Sequence, residues 1–554
     1  MKEYKKMKKF LYIMISVLAL TACSDAFLET ENKNNLDVGS FFKTENDLQL
    51  AVNTVYTPLA HRGMFGIDYF LKINTLDPYL WFENPKSGLD MMIFGTDQFT
   101  TPWEDLYRGL FRTSDILANI PRMEGIVPEE RLNEYEAQVR ALRGMYYFYL
   151  VTWFNAPIYY DETNMPTNPL EGLPNGKPEQ FWDKLEEDLT FAQQYLPLKW
   201  PDTELGRISK GGANAQLGKA LLFKHYHYYL RNGQGNSAEA KENLKKAKEA
   251  FKRIIDSGAH HLIMPINKTK AHYQAALLSN FAHIDLPAEG STYTSENNAE
   301  SLWEVQYNDD NRAASGWLPG WQWGGSLNYQ YFGPIGYKNL EIDPALWYEF
   351  ETVSGHPGGY DRDPRANATC FLEGDSLDWR PETNMNTTFQ SSTNSKMTVI
   401  SFKLYSGEVP SKAIGIKKYG YPQFTDKSLN CAPYNIRVIR YADALLMYAE
   451  ACMQFDGDAD GQGLAALNQV RARVDMPAIT ALTPKAIIHE RTVELATEGH
   501  YYNDLIRWGF DPTFEIDYDK IFRGNFNVNK HFYFPIPQSD INANKGVLKQ
   551  NPGW

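Results

Sequence analysis

Residues 136–157 read EAQVRALRGMYYFYLVTWFNAP, and the spacing of apolar side chains in and just before that stretch decides the class of fold. From Tyr135 they recur at Val139, Leu142, Tyr146, Leu150 and Trp153, steps of three and four that align on one face of a helix. Asn155, Ala156 and Pro157 end the run, since proline cannot continue a helix and disfavours helical backbone in the residue before it. The same signature recurs outward. Phe181, Leu185, Leu189, Ala192 and Leu196 line a second helix, Ala213, Leu217, Ala220 and Leu221 a third, and Leu244, Ala247, Phe251 and Ile254 a fourth that stops at Gly258. Small residues on these faces (Ala213, Ala220, Ala247, Ala250) let helices approach closely, so the spacing predicts a mainly α fold of tetratricopeptide-like helical hairpins, without the full repeat consensus.

From about residue 259 to 435 the periodicity lapses into a stretch rich in Gly, Pro, Asn, Ser, Thr and Trp. A structureless segment that long does not belong in a compact domain, so short strands and turns bearing binding loops are expected there. Helical spacing returns over Arg437–Cys452, Leu464–Val474 and Pro484–Glu498, and a polar tail ends at Trp554. The organisation predicted is one domain over 38–554. Its helical core comprises about 38–258 and 436–554, with a loop-rich, ligand-binding insertion at about 259–435.

The amino terminus carries a different message. Lys2, Lys5, Lys6, Lys8 and Lys9 precede an apolar run from Phe10 to Leu20, the layout of a secretory signal and far short of the roughly 20 apolar residues a membrane-spanning helix needs. Leu20-Thr21-Ala22-Cys23 closes it as a bacterial lipobox, in which small residues suit the signal peptidase and the Cys23 thiol accepts diacylglycerol. Residues 1–22 are thus expected to be removed, and 23–37 to form a lipidated polar tether. Two or three acyl chains, each contributing about 0.8 kcal/mol per buried methylene, anchor stably where a single chain does not.

Composition bounds the partners. With 554 residues, 43% hydrophobic and 22% charged, the chain can bury a large core and lacks the signature of disorder. A net charge of −13 argues against nucleic acid, whose binding rests on neutralising phosphates. Apart from Cys23 there are Cys370, Cys431 and Cys452, too few and too scattered for a disulfide framework, so free thiols are expected. Aromatic residues are plentiful, 13 Trp, 34 Tyr and 30 Phe. Exposed ring faces among Asn, Asp, Gln and Arg would match the C–H faces and hydroxyls of sugars. Trp317, Trp321 and Trp323 lie in the Gly-rich stretch 316–325, where no apolar periodicity demands core tryptophans. They and Trp81 are the candidate stacking residues, with Asp77, Arg312, Asn328 and Tyr329 as hydroxyl partners.

Signals for chemistry are weaker. Asp456, Asp458 and Asp460 match the first half of a calcium loop, but Leu467 stands at the twelfth position where a bidentate Glu is required. A polar turn is the expected reading, with structural calcium as the lesser alternative and no other cofactor. Arg437, Arg440, Glu450, Arg471, Arg473, Glu490, Arg491 and Glu494 fit ion pairs that tie helices together better than an acid/base site. No residue is nominated as catalytic. There is no phosphate loop, no serine nucleophile elbow and no zinc-protease helix, and no pair of carboxylates is nominated for glycoside hydrolysis.

Several segments together resemble the SusD/RagB family of outer-membrane nutrient-binding lipoproteins of Bacteroidetes. They are Cys23–Glu29, Glu136–Pro157, Gly206–Lys210, Glu300–Tyr307, Asp361–Arg365, Arg437–Ala451, Ala466–Arg473, Glu490–Gly499, Asp504–Gly509 and Phe534–Pro537, covering nearly the whole mature chain. Val474-Asp475 and His500 depart from the usual pattern. The resemblance implies a lipid-anchored protein of the cell outer membrane facing the exterior. It implies a SusC-like TonB-dependent transporter as partner, and a ligand site where the N-terminal loop and the central insertion converge. With the acidic net charge, a neutral oligosaccharide is the expected cargo. An oligopeptide, as in the RagB type, is the alternative, and a glycoside hydrolase is the third reading.

Overall fold

The computed structural model describes residues 41–82, 92–166, 172–282, 284–286, 290–307, 332, 340–371, 376–378, 396–398, 415–419 and 434–554. In chain order its main helices are Glu45–Thr54 (α1), Asp68–Thr75 (α2), Thr100–Asn119 (α3), Glu129–Phe154 (α4), Pro178–Tyr195 (α5), Lys210–Lys224 (α6), Ala238–Ser257 (α7), Lys270–Leu278 (α8), Pro344–Glu349 (α9), Pro364–Thr369 (α10), Tyr441–Asp456 (α11), Gln462–Arg473 (α12), Pro484–Leu495 (α13) and Tyr501–Trp508 (α14). Four short strands matter to the site: Leu80–Phe82 (β1), Ser301–Val305 (β2), Leu340–Ile342 (β3) and Ile436–Arg440 (β4).

Successive helices α3 to α7 pack each on the next, and α7 hands on to α11, which packs on α12. This is the run of hairpins that the spacing predicts, and it joins the two helical stretches around one core. At its centre, α4 differs from a surface helix. Every residue from Ala141 to Phe154 is buried, so it presents no polar face to water along those turns. Tyr146 and Tyr147 bury their rings and donate their hydroxyls to backbone oxygens, Val55 O (2.7 Å) and Tyr160 O (2.7 Å). Arg143, fully buried, donates through Nε and Nη2 to both carboxylate oxygens of Asp188 on α5 at 2.7 and 2.8 Å. Glycines set the spacing between helices: a Cβ on Gly218 of α6 would stand 2.7 Å from the Phe251 ring of α7, and one on Gly144 2.9 Å from Leu189.

The C-terminal tail closes over the N-terminal helices. The N–H of Phe534 donates to Trp153 O at 2.6 Å, the Phe534 ring stacks on Phe99 at 3.7 Å, and Trp103 Nε1 donates to Asp540 at 3.1 Å. Two boundaries differ from the sequence expectation. Ile436–Arg440 is a strand, not the first turn of a helix; it pairs antiparallel with β2, setting Arg437 opposite Glu304 and Ile439 opposite Trp303, and the helix begins only at Tyr441. The Val438-Ile439 pair suits a pleated, buried surface. Within 259–435 the described residues hold paired short strands and also the nine-residue helix α8, capped by Thr269, whose hydroxyl accepts from the His272 N–H. Among the described residues no helix is long and apolar enough to cross a membrane.

Candidate ligand-binding site

The N-terminal loop segment is built around a turn. Asp77 is buried, 6% exposed, and its Oδ1 accepts the Tyr79 N–H at 2.9 Å, the geometry of an Asx turn. Burial pushes its acid up to about 7, against the pull of that N–H. The turn delivers β1, which pairs antiparallel with β3: Leu80 faces Ile342, Trp81 faces Glu341 and Phe82 faces Leu340. One further rung follows, Asp343 N–H to Tyr79 O at 2.7 Å. The ladder therefore fixes the Trp81 backbone against the middle of the central insertion, at Glu341, twelve residues past Tyr329 in sequence.

Next to the ladder stands an aromatic group that the sequence reading missed. Asp343 Oδ1 accepts the Ala345 N–H at 2.8 Å and starts α9. Leu346 and Phe350, four apart, turn inward and are buried, which leaves Trp347 half-buried and Tyr348 55% exposed. The Arg362 guanidinium lies 5.3 Å from the Trp347 ring centre and 5.9 Å from that of Tyr348, within cation–π range. The Tyr79 hydroxyl donates to Glu349 at 2.9 Å, and its ring packs on Tyr501 at 5.2 Å. The missed signal was the apolar pair Leu346 and Phe350 after Asp343-Pro344: a capped helix with that inner face must turn Trp347 and Tyr348 elsewhere.

Of the predicted ligand residues, Asp77 and the Trp81 backbone fall within the described structure. Arg312, Trp317, Trp321, Trp323, Asn328 and Tyr329 lie outside the described residues, as do Cys23 and Cys431. Cys370 and Cys452 are buried, and burial pushes the Cys452 thiol up to about 12, away from nucleophile chemistry.

The arginines and carboxylates of the C-terminal half form a sealed network. Arg440 reaches Glu300 at 2.8 Å, Glu494 at 2.6 Å and Glu498 at 2.7 Å. Arg365 holds Asp363 at 2.7 Å and Glu490 at 2.5 Å, Arg471 holds Glu490 at 2.8 Å, and Arg473 pairs with Glu300 and Glu494. A second set links Arg491 to Asp443 and Asp504, both at 2.8 Å, and Arg507 to Glu450, which also accepts from Tyr226 at 2.6 Å. Burial pushes the Glu494 carboxyl up, but Arg473, Arg440 and Arg365 outweigh it and hold the group well below the usual carboxylate range. Such groups are paired and shut from solvent, and they tie α10 to α13 and β4 together. The three aspartates of the half calcium loop are engaged too. Asp458 accepts the N–H groups of Gly463 and Leu464 at 2.7 and 2.8 Å, while Lys248 Nζ sits 3.5 Å from Asp456 and 3.1 Å from Asp460.

Comparison with known proteins decides the family. A model described as the SusD family matches residues 231–554, and a model described as starch-binding, associating with outer membrane, matches residues 26–229. The chain belongs to the SusD family. A SusD-like protein of Formosa agariphila is 24% identical over 583 aligned residues, covering 97% of this chain and 98% of the relative. Among solved structures, a laminarin-binding SusD-like protein superposes with a TM-score of 0.66 at 23% identity, covering 92% of this chain and 100% of its own. Surface glycan-binding protein A from Bacteroides thetaiotaomicron, in complex with laminarihexaose, gives 0.65 at 20% identity with the same coverage. At these identities the structural likeness establishes the shared SusD fold.

Proposed function

We propose that this SusD-family protein is an outer-membrane lipoprotein, anchored through Cys23 and facing the exterior. It captures a neutral oligosaccharide and delivers it intact to a SusC-like TonB-dependent transporter. The observation that supports the reading is the β1–β3 ladder, which pairs the Trp81 segment with a strand of the same insertion in whose sequence Trp317, Trp321 and Trp323 fall. Tyr348, exposed on the helix that follows β3, adds a ring face near that ladder. Flat rings suit the C–H faces of sugar rings. Arg312, Asn328 and Tyr329 would read hydroxyls, while Asp77 would act by shaping the turn beneath Trp81. The laminarin and laminarihexaose bound by two proteins of this fold make those glycans the first to try.

Calorimetry on the soluble form starting after Cys23, titrated with laminarihexaose, other neutral and acidic oligosaccharides, and a peptide mixture, tests the reading. Saturable heat with a neutral glycan, no product formed, and loss in Trp81→Ala or one of the Trp317, Trp321 and Trp323→Ala variants are expected. Binding to peptides alone would move the protein to the oligopeptide-binding type, and release of shorter sugars would make it a hydrolase. No cofactor enters this reading. Because Asp456, Asp458 and Asp460 are engaged by backbone N–H groups and Lys248, EDTA is expected to leave both melting and glycan binding unchanged; a drop in melting temperature reversed by calcium would restore the metal.

A further inference from the structure

A cleft of about 300 Å³ opens between the end of α1, the turn before α6 and strand β2. It shares no residue with the loops proposed above. Its volume is at the lower end of the range for small-ligand pockets. The floor is apolar: the half-buried Tyr56 ring lies 6.5 Å from the buried Trp303 ring, inclined to it by 54°, with Val305 alongside. Both rings are fixed by their polar ends. The Tyr56 hydroxyl donates to Gln138 at 2.9 Å, and Trp303 Nε1 donates to Gly206 O at 3.3 Å.

Gly206 keeps the cleft open. It has a φ of +88°, and a Cβ there would stand 2.2 Å from the Gln306 side chain, so any other residue would meet both backbone strain and a collision. The rim is polar and electrically balanced. Arg207 is ion-paired to Glu204 at 2.9 Å and donates to Gln138 and Asn53 at 3.0 and 2.9 Å. Those contacts do not exhaust its five N–H groups. Asn53 and Thr203 stand exposed at the mouth, beside Leu205, which is held out to solvent with 49% of its surface exposed.

A ligand for this cleft needs one apolar face, several hydroxyls and no charge. A free carboxylate or phosphate would have to compete with Glu204 for Arg207, and a cation would meet Arg207 and Arg131, which already neutralise that carboxylate. We propose that the cleft between Tyr56, Gly206 and Gln306 is a second saccharide site that takes one neutral pyranose unit. Its C–H face lies on the Tyr56 and Trp303 floor, and its hydroxyls are read by Asn53, Thr203 and Arg207. A glycan long enough to engage both sites would be held more tightly than either site alone allows, through effective concentration. The inference shares with the proposed function only the class of ligand.

Ligand-observed NMR on the soluble chain, with methyl glycosides of neutral hexoses and laminarihexaose as probes, tests it. The variants Asn53→Ala and Thr203→Arg change exposed residues, and their melting curves should match wild type. A saccharide signal that persists in the Trp317, Trp321 and Trp323→Ala variant but falls at least several-fold in both rim variants is the expected result. If no neutral saccharide gives a signal that depends on Asn53 and Thr203, the cleft is not a sugar site. That result would stand whether or not the tryptophan loops bind, so the two readings fail separately.

Discussion

Arg440 sits 2% exposed between Glu300, Glu494 and Glu498, and with Arg473 and Lys418 it supplies the charge that pairs these carboxylates in the core. Removing one member of such a network leaves the others buried and uncompensated, which costs about 3–5 kcal/mol. Arg440→Met is therefore expected to lower the unfolding free energy in urea by that amount or to abolish folding; a loss under about 1 kcal/mol would mean that water or relaxation screens the carboxylates. His500, next to Asp443 at 3.9 Å, shows the opposite case. Burial lowers it to about 4, against the attraction of Asp443, so it is neutral at pH 7. The unfolded chain, with histidine near 6.5, takes up more protons between about pH 6.5 and 4. Stability should thus be complete above that window and fall as the pH drops through it. His225 and His227, lowered by burial to about 4 and about 3, act in the same direction. Carboxylates such as Glu494, held low by arginines, add a further loss below their ordinary range. Melting temperature measured from pH 8 to pH 4 should decline throughout the lower window, with a shallower slope in His227→Phe; a flat profile would contradict these assignments.

Between elements, the tightest constraints are glycines rather than large side chains. On α6, Gly218 faces the Phe251 ring of α7, and an added Cβ would approach Cζ to 2.7 Å. Overpacking of this kind costs roughly 1–3 kcal/mol. Gly218→Ala should lower the melting temperature measurably, and Phe251→Leu in the same chain should recover part of the loss, because the two changes couple through one contact. An additive double variant would show that the helices adjust elsewhere. This contact was half legible beforehand: the alanines of the third and fourth helices announce a close approach, while Gly218 and Phe251 meet only once the hairpin fixes which faces oppose. Likewise Ile436–Arg440 carries both strand and helix signals locally, and pairing with Ser301–Val305, far away in sequence, selects the strand.

For the whole molecule, the proposed lipid anchor at Cys23 calls for a test that leaves the globular body untouched. Cys23→Ala should shift the protein from the membrane fraction to the soluble one while leaving the melting curve of the body unchanged; membrane retention without Cys23 would point to another means of attachment. The amino-acid sequence alone determined the helical class, the positions of the main helices and the family resemblance, and it carries the pattern of a secretory and lipidation signal. All of these rest on short-range periodicity or on motifs of a few residues. It also marked the charged residues as ion pairs by type and spacing. Which charge meets which was decided only by tertiary structure: Arg440 joins Glu300, Glu494 and Glu498, which lie 140, 54 and 58 residues away. The same holds for the ladder that brings Trp81 to Glu341, the outward turn of Tyr348 and the Tyr56–Gly206–Gln306 cleft. Each depends on faces from distant segments meeting in the packed core, and no local pattern encodes that meeting.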